Sequence, residues 1–194
     1  MGRQSVGMMC PIWAPFMSHT EGSMPTYGTG RKIMEARTAT VNYTRSTNPD
    51  YGDNREIDRD SGITAASITF EPSGMLNADR VAMLGEKTAT TQMGGQWVGD
   101  NSAPYGGFGY MRRMRDNGVR KWEAWFTLKI KFQEESQATS TKEGSITWGT
   151  PTLNGRAAGL YVDSSDKLRY QLHDTFDTAA AAKAWLNALA HIST

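Results

Sequence analysis

Histidine is the side chain best suited to acid–base catalysis or metal binding near neutral pH, and this chain contains three. His19, His173 and His191 lie far apart, and none has a metal-ligand spacing to another histidine or to a carboxylate. Cys10 is the single cysteine, so neither an intrachain disulfide nor a thiolate cluster can form. The sequence predicts no catalytic centre, no metal site and no cofactor, and we expect a protein that is not an enzyme.

Two other segments have compositions that are typical of ligand-binding loops. Residues 106–109 (GGFG) suggest a phosphate-binding loop, but they precede a strand pattern and lack the Lys-Ser/Thr pair that binds phosphate. We interpret these glycines as space for larger side chains on a facing strand. The spacing of carboxylates in residues 50–60 is not that of a calcium loop, so we predict a solvated or partner-facing loop or a projecting hairpin. These carboxylates are Asp50, Asp53, Glu56, Asp58 and Asp60.

A cluster of basic residues flanks the pair Asn117-Gly118. Asn-Gly accepts the positive φ angles of a two-residue type I′ turn, which predicts a hairpin with Arg115 opposite Arg120. Arginines are rarely buried without a partner, so the tip of this hairpin should project beyond the core. It could contact DNA phosphates or another protein, and we favour the acidic segment 50–60 of a neighbouring copy. The basic residues are Arg112, Arg113, Arg115, Arg120 and Lys121.

The composition favours strands as the elements that position these groups. A length of 194 residues fits one domain, and 20 glycines with six tryptophans and many Thr and Ser favour an all-β fold. The 21 basic and 20 acidic residues give a net charge of +1, so no bulk attraction to nucleic acid or membranes is implied. No stretch approaches the ~20 apolar residues of a membrane span. Residues 1–9 lack a secretory-signal pattern, so we expect a cytosolic product.

The chain is predicted to consist of an extended N-terminal arm, residues 1–30, and a single β domain, residues 31–194. The arm is rich in Gly, Pro, Met and Ser, and we expect one short strand near residues 13–19, with neighbouring copies ordering much of the rest. Its expected anchors are Trp13, Phe16 and Met17. The predicted elements of the domain are a half-buried strand at 32–45, a strand at 63–71, a hairpin over 105–133, a second hairpin around Asn154-Gly155, a strand at 167–172, and helices at about 78–84 and 178–189. In the first strand, Ala39 and Val41 share one face and Thr40 and Asn42 the other.

The helix ends and faces are predicted from single residues. We expect Asn77 to cap the first helix and Gly85 to end it, and we expect the second helix to pack through Trp185.

The hairpin over residues 105–133 has two distinguishable faces. The predicted core face carries the apolar residues of the second strand above the two glycines of the first, and its members are Gly107, Gly109, Trp122, Ala124, Phe126, Leu128 and Ile130. The other face carries Phe108, Tyr110 and Trp125. If exposed, these three rings would form a carbohydrate-binding platform. This is one alternative function, and a DNA-binding β-ribbon at the basic tip is the other.

Several stretches, in their order and spacing, resemble the major tail (tail tube) proteins of bacteriophages with long, non-contractile tails, the siphovirus type. The resemblance covers nearly the whole chain, although no single motif is diagnostic. The stretches are residues 11–15 (PIWAP), 25–28 (PTYG), 39–51 (ATVNYTRSTNPDY), 103–106 (APYG), 144–152 (GSITWGTPT) and 175–189 (TFDTAAAAKAWLNAL). Residues 52–56 depart from the family pattern, being more charged and less alanine-rich.

The resemblance implies a β-sandwich or barrel-like tail-tube domain with a flanking helix. It implies hexameric rings that stack, through loops and an N-terminal arm, into a hollow tube of the virion, assembled in the host cytoplasm. The genome would be ejected through the lumen without specific binding. The implied partners are other copies of the chain and the tape-measure, tail-tip and tail-terminator proteins, with no membrane partner.

Overall fold

The structure, a computed structural model, describes residues 4–33, 35–52, 55–89, 94–99, 102–137, 150–165 and 167–193. The chain is mainly β with two helices, as the composition and sequence patterns predict. The described elements are β1 (Gln4–Ser18), β2 (Thr26–Tyr27), β3 (Arg31–Lys32), β4 (Ala36–Gly52), β5 (Arg55–Pro72), α1 (Asn77–Leu84), β6 (Lys87–Thr88), β7 (Gln96–Trp97), β8 (Gly106–Asp116), β9 (Val119–Gln137), β10 (Pro151–Ala157), β11 (Gln171–Phe176) and α2 (Ala179–Leu189).

Nine strands form one antiparallel sheet in the order β2-β1-β8-β9-β10-β5-β4, with β3 beside β1 and β11 beside β9. The first part of β9 pairs with β8 and β11, and its last part, residues 130–137, pairs with β10. Strand β9 therefore joins two halves of the sheet, and buried side chains from both halves meet between them. The result is the predicted sandwich-like arrangement.

Two clusters of buried side chains stabilise this arrangement, because β8 and β9 are covered on both faces. Phe70, Phe108 and Phe132 pack between the sheet halves, with ring centroids 5.0–6.2 Å apart. On the opposite face, Phe126 and Leu186 belong to a second cluster, to which α2 contributes. Burial of this much aromatic surface is the main source of stability in such a domain.

The predicted core face of the β8–β9 hairpin is confirmed at Ala124, Phe126 and Leu128, which are buried. The two small residues opposite them have the predicted role. A side chain added at Gly107 or Gly109 would approach the Phe126 ring to 2.5 and 2.8 Å, respectively. Such contacts are too short for any Cβ atom, so glycine is required at both positions.

Strand β1 corrects the prediction for the N-terminus. Trp13 has no exposed surface, its two neighbours on the strand are buried, and β1 pairs along the length of β8. The core therefore begins well before the predicted boundary, and the prediction of an arm outside the core is wrong for this strand. Extra residues at Gly7 (φ 69°) and Cys10 (φ 50°) form bulges in β1, and bulges bend and twist a strand locally.

Strands β4 and β5 form one long antiparallel ladder, whose far end includes residues 50–52 and 55–60 of the acidic segment. Strand β10 instead runs straight through Asn154-Gly155 between β9 and β5, so the hairpin predicted there is wrong. Gly155 is required for packing rather than for a turn, because a Cβ atom would lie 2.5 Å from the Ile130 side chain. The 145–149 part of that predicted hairpin lies outside the described residues.

Both helices lie close to their predicted positions, but with different ends and faces. Helix α1 has Leu76 at its N-cap and no side-chain cap, so the predicted capping by Asn77 is wrong, whereas Gly85 ends the helix as predicted. Helix α2 buries Ala182 and Leu186. The predicted contact residue, Trp185, is half-buried beside this face and packs against Phe176, with ring centroids 5.8 Å apart.

Candidate functional site

The tip of the β8–β9 hairpin has the predicted two-residue turn, in which Asn117 (φ 48°) and Gly118 (φ 90°) both have positive φ. Arg115 lies opposite Arg120 across the ladder, as predicted, and both side chains are exposed. Like charges directly opposite each other destabilise a sheet. An anionic group from a partner would therefore stabilise this tip.

Two of the five basic residues near the tip have carboxylate partners within the chain. The Arg112 Nε donates a hydrogen bond to Glu123 at 2.7 Å, and Lys121 Nζ lies 3.4 Å from a carboxylate oxygen of Asp177. The Glu123 side chain is only 9% exposed, so its pair with Arg112 is largely shielded from water. Arg112 and Lys121 therefore have partners in their own subunit.

The other three basic residues, Arg113, Arg115 and Arg120, are exposed, and none has an ion pair among the described side chains. Of their expected partners, Asp53 lies outside the described residues. The side chains of Asp50, Glu56, Asp58 and Asp60 also lie outside the described part of the chain. The contact between these two groups of residues therefore stays a prediction.

The second face of the β8–β9 hairpin carries the three rings that a carbohydrate-binding platform would need to expose, and two of them are buried. Phe108 and Tyr110 lie inside the core, and burial raises the pKa of Tyr110 to about 12. Trp125 is half-buried, with the guanidinium carbon of Arg112 5.4 Å from its ring centroid and the His173 ring stacked on it at 4.3 Å. These three aromatic residues do not form the exposed platform.

Two of the three histidines, His19 and His173, have side-chain contacts that position them in the fold. His19 Nε2 lies 3.1 Å from the backbone carbonyl oxygen of Tyr161. His173 stacks on Trp125, and its Nδ1 lies 3.9 Å from a Glu123 carboxylate oxygen. Within the described ranges, no group of three or more His, Cys, Asp or Glu side chains is arranged to hold a metal ion.

Strand β4 is an edge strand of 17 residues whose one described strand partner is β5. Its alternation is the predicted one, since Ala39 and Val41 pack against the core while Thr40 and Asn42 are exposed. The outer edge of such a strand presents backbone N–H and C=O groups to any strand that is added. The sequence pattern indicates a half-buried strand, but its place at the edge depends on the strand order of the whole sheet.

The three predicted arm anchors have different environments. Trp13 is buried in the core of its own subunit, and the Phe16 ring is half-buried, 6.2 Å from the ring of Tyr27. Met17 is 68% exposed. Among these three, Met17 has the exposure that an anchor on another subunit needs.

A largely buried ionic cluster, which no sequence pattern indicated, joins α1 to β9. Arg80 donates two hydrogen bonds to Glu134, at 2.7 and 2.9 Å, and one to Glu86 at 3.0 Å. The hydrogen bond to Glu134 is the main cause that raises the pKa of Arg80. Glu134 is 54 residues from Arg80, so only the folded chain brings these charges together.

No family model and no curated protein matches this chain. The resemblance to tail tube proteins therefore rests on the motifs quoted above, and the function has to be argued from those motifs and from the geometry. In the part of the chain that the structure describes, neither helix has the length and apolar character needed to cross a bilayer.

Proposed function

We propose that this chain is the major tail protein of a bacteriophage with a long, non-contractile tail. It would be a structural protein of the virion without enzymatic activity. Its copies would form rings, hexameric by the resemblance, that stack into the tail tube through which the genome is ejected into the host. The tape-measure, tail-tip and tail-terminator proteins are the further partners that the resemblance implies.

The observation that carries this proposal is the outer edge of β4, which pairs with no strand in the described part of the chain. A 17-residue edge strand rich in exposed threonine is an aggregation hazard for a monomer, and burial against another copy removes that hazard. Contact between β4 and a different surface on the next copy would be head-to-tail. Head-to-tail contacts generate closed rings or open filaments, which are the two kinds of order that a tube requires.

The hairpin tip would supply a second, polar contact between copies. In this proposal Arg113, Arg115 and Arg120 meet the acidic segment 50–60 of the next copy, where five carboxylates outnumber two arginines. Each exposed pair contributes only ~0–1 kcal/mol. Repetition around a ring and along a tube multiplies such a weak contact, and opposite charges select the correct register.

A pair of proline substitutions tests the role of the β4 edge. Consecutive N–H groups of an edge strand point alternately toward its partner and away from it. Proline has no backbone N–H. Of Ala39→Pro and Thr40→Pro, one therefore removes an N–H that bonds to β5, and the other removes an N–H on the outer edge of β4. The variant that lacks an outer-edge N–H keeps its hydrogen bonds to β5 and should keep most of the wild-type melting temperature. We expect this variant to form no rings or tubes in negative-stain electron microscopy. Normal assembly of both variants would contradict the edge contact.

Charge reversal tests the contact at the hairpin tip. Arg113→Glu with Arg115→Glu should abolish assembly while the melting temperature stays that of the wild type, because both side chains are exposed. Copies that carry Asp58→Arg with Asp60→Arg should partly restore assembly when mixed with this variant. Wild-type tubes from the charge-reversed protein alone would show that the tip does not make this contact.

A DNA-binding β-ribbon is the second candidate function, and the same exposed arginines favour it. A ribbon of this kind binds phosphates with an affinity that falls steeply with salt. Salt-dependent DNA binding by the isolated protein, lost in the Arg113→Glu with Arg115→Glu variant, would support the ribbon. Retention of DNA binding by that variant would exclude the tip as the binding site.

A further inference from the structure

A second basic surface lies on the outer face of β5, β10 and β9, opposite the side that packs into the core. A groove of about 770 Å³ crosses these strands. Among the described residues that line it, Lys131 and Arg156 are cationic and none is acidic. Much of the remaining polar lining consists of hydroxyl and amide side chains, including Ser67, Thr69 and Asn154.

The two cations of the groove lie directly opposite each other on β9 and β10. Side chains in this relation have Cβ atoms ~5 Å apart, and like charges there destabilise the sheet unless an anion lies close by. No ion pair among the described residues involves Lys131, Arg156 or the neighbouring Lys129. On β5, the carboxylate of Glu71 accepts a hydrogen bond from Thr38 at 3.1 Å, outside the groove lining.

An aromatic ring lies beside these cations. Tyr105 lines the groove and is 44% exposed, and the ammonium groups of Lys129 and Lys131 lie 4.8 and 5.9 Å from its ring centroid. Lys129 also lies 4.6 Å from the ring of Phe16. Surfaces that bind single strands combine cations for the phosphates with aromatic rings on which bases stack. Hydroxyl and amide side chains add contacts to phosphate and sugar oxygens.

We propose that this groove binds a single-stranded nucleic acid through its phosphates, without base-sequence preference, and that one base stacks on Tyr105. An acidic protein segment fits the groove less well. Protein interfaces are anchored by large apolar or aromatic side chains in pockets, and Tyr105 is the one large ring in the described lining. The inference concerns each single subunit and holds whether or not copies assemble into a tube.

Fluorescence anisotropy of a labelled oligonucleotide of about 20 nucleotides, with the full-length protein, measures this binding. With about three phosphate contacts, the association constant should fall roughly 15- to 20-fold between about 50 and 200 mM salt. Lys131→Glu with Arg156→Glu should weaken binding at least about ten-fold. Tyr105→Leu should weaken it about five-fold. The control, Arg113→Glu with Arg115→Glu, makes the same change in net charge at the hairpin tip and should bind within about two-fold of wild type.

Near-UV circular dichroism and the melting temperature establish that each variant is folded. Lys131→Gln with Arg156→Gln is the milder pair to use if the glutamate pair unfolds the protein. Loss of binding in the hairpin-tip control, with the groove variants unaffected, would overturn the proposal and assign the nucleic acid to the β-ribbon.

Two further results would also overturn the groove proposal. One is poly-L-glutamate binding that is as tight as oligonucleotide binding and unaffected by Tyr105→Leu, since the groove would then fit an acidic protein segment. The other is the absence of oligonucleotide binding at low salt. Assembly of the same variants, scored separately by electron microscopy, distinguishes failure of the groove proposal from failure of the tube proposal.

Discussion

Replacement of Trp13 by alanine should lower the free energy of unfolding of the isolated subunit by about 3–5 kcal/mol, the usual cost of removing a fully buried aromatic side chain. Trp13 has no exposed surface, and its ring centroid lies 5.9 Å from that of Phe132 in the core between the sheet halves. The size of the effect separates two roles for the N-terminal segment. A residue that docks on a neighbouring copy would leave the stability of the isolated subunit unchanged.

A second substitution makes this test specific to the packing around Trp13. A Cβ atom at Gly106 would lie 2.3–2.6 Å from three atoms of the indole ring. Gly106→Ala alone should therefore destabilise the protein by about 1–3 kcal/mol through overpacking. In the Trp13→Ala background the indole is absent, so the same substitution should cost less. The coupling energy from the double-mutant cycle should be about 1–2 kcal/mol.

Urea unfolding of the four proteins in the cycle, followed by near-UV circular dichroism, measures these free energies. Met17→Ala is the matched control, because Met17 lies four residues away on the same strand and is 68% exposed. Its effect should stay within about 0.5 kcal/mol. Unchanged stability of Trp13→Ala, or strictly additive effects in the cycle, would refute the packing described for β1.

Three smaller predictions concern single contacts. Arg112→Met should destabilise the protein by about 1–3 kcal/mol, because the shielded carboxylate of Glu123 loses its ion pair, whereas Arg115→Met should stay within about 0.5 kcal/mol in the same urea titration. Burial raises the pKa of the Tyr27 hydroxyl above its ordinary value of 10.0. The neutral hydroxyl therefore contributes its full stabilisation below about pH 10, and this stabilisation is lost as the pH rises further. Tyr27→Phe should make the alkaline loss of stability less steep in the same urea titration. Thr178→Ala removes the side-chain acceptor at the start of α2 and should lower stability by about 1 kcal/mol, and an unchanged melting temperature would show that this cap contributes nothing.

The sequence predicted features that depend on a few neighbouring residues. Asn117-Gly118 determines a turn type, and that turn sets the register of the whole β8–β9 hairpin, including Arg115 opposite Arg120. The turn is confirmed as predicted, because the Asn-Gly preference depends only on the φ angles of the turn itself. Capping is less local: Thr178 caps α2, whereas Asn77 does not cap α1.

Features that depend on strand order were not predictable from the same patterns. Asn154-Gly155 has the composition of a turn, but β10 lies between two strands, and Gly155 is selected by the bulk of Ile130 on β9. Ile130 itself belongs to the cluster between the sheet halves, because the β8–β9 ladder shifts register between Gly106 and Phe108. Alternation along one strand cannot show such a shift.

The candidate assembly and binding surfaces were predictable in part. The basic tip was recognisable from composition and turn chemistry, but the pairing of Arg112 with Glu123 inside the subunit depends on burial of that carboxylate in the fold. The outer edge of β4 and the groove beside Tyr105 depend on which strands are neighbours in the sheet. Both required the structure, because residues far apart in sequence form them.

If copies of this chain stack into a tube, as we propose, electron microscopy of the purified protein over a range of concentrations should show the assembly. We expect rings or tubes of uniform diameter, in which averaged images show one repeated, folded subunit joined by head-to-tail contacts. A strictly monomeric protein, in virus particles as well as in solution, would show that no such tube forms.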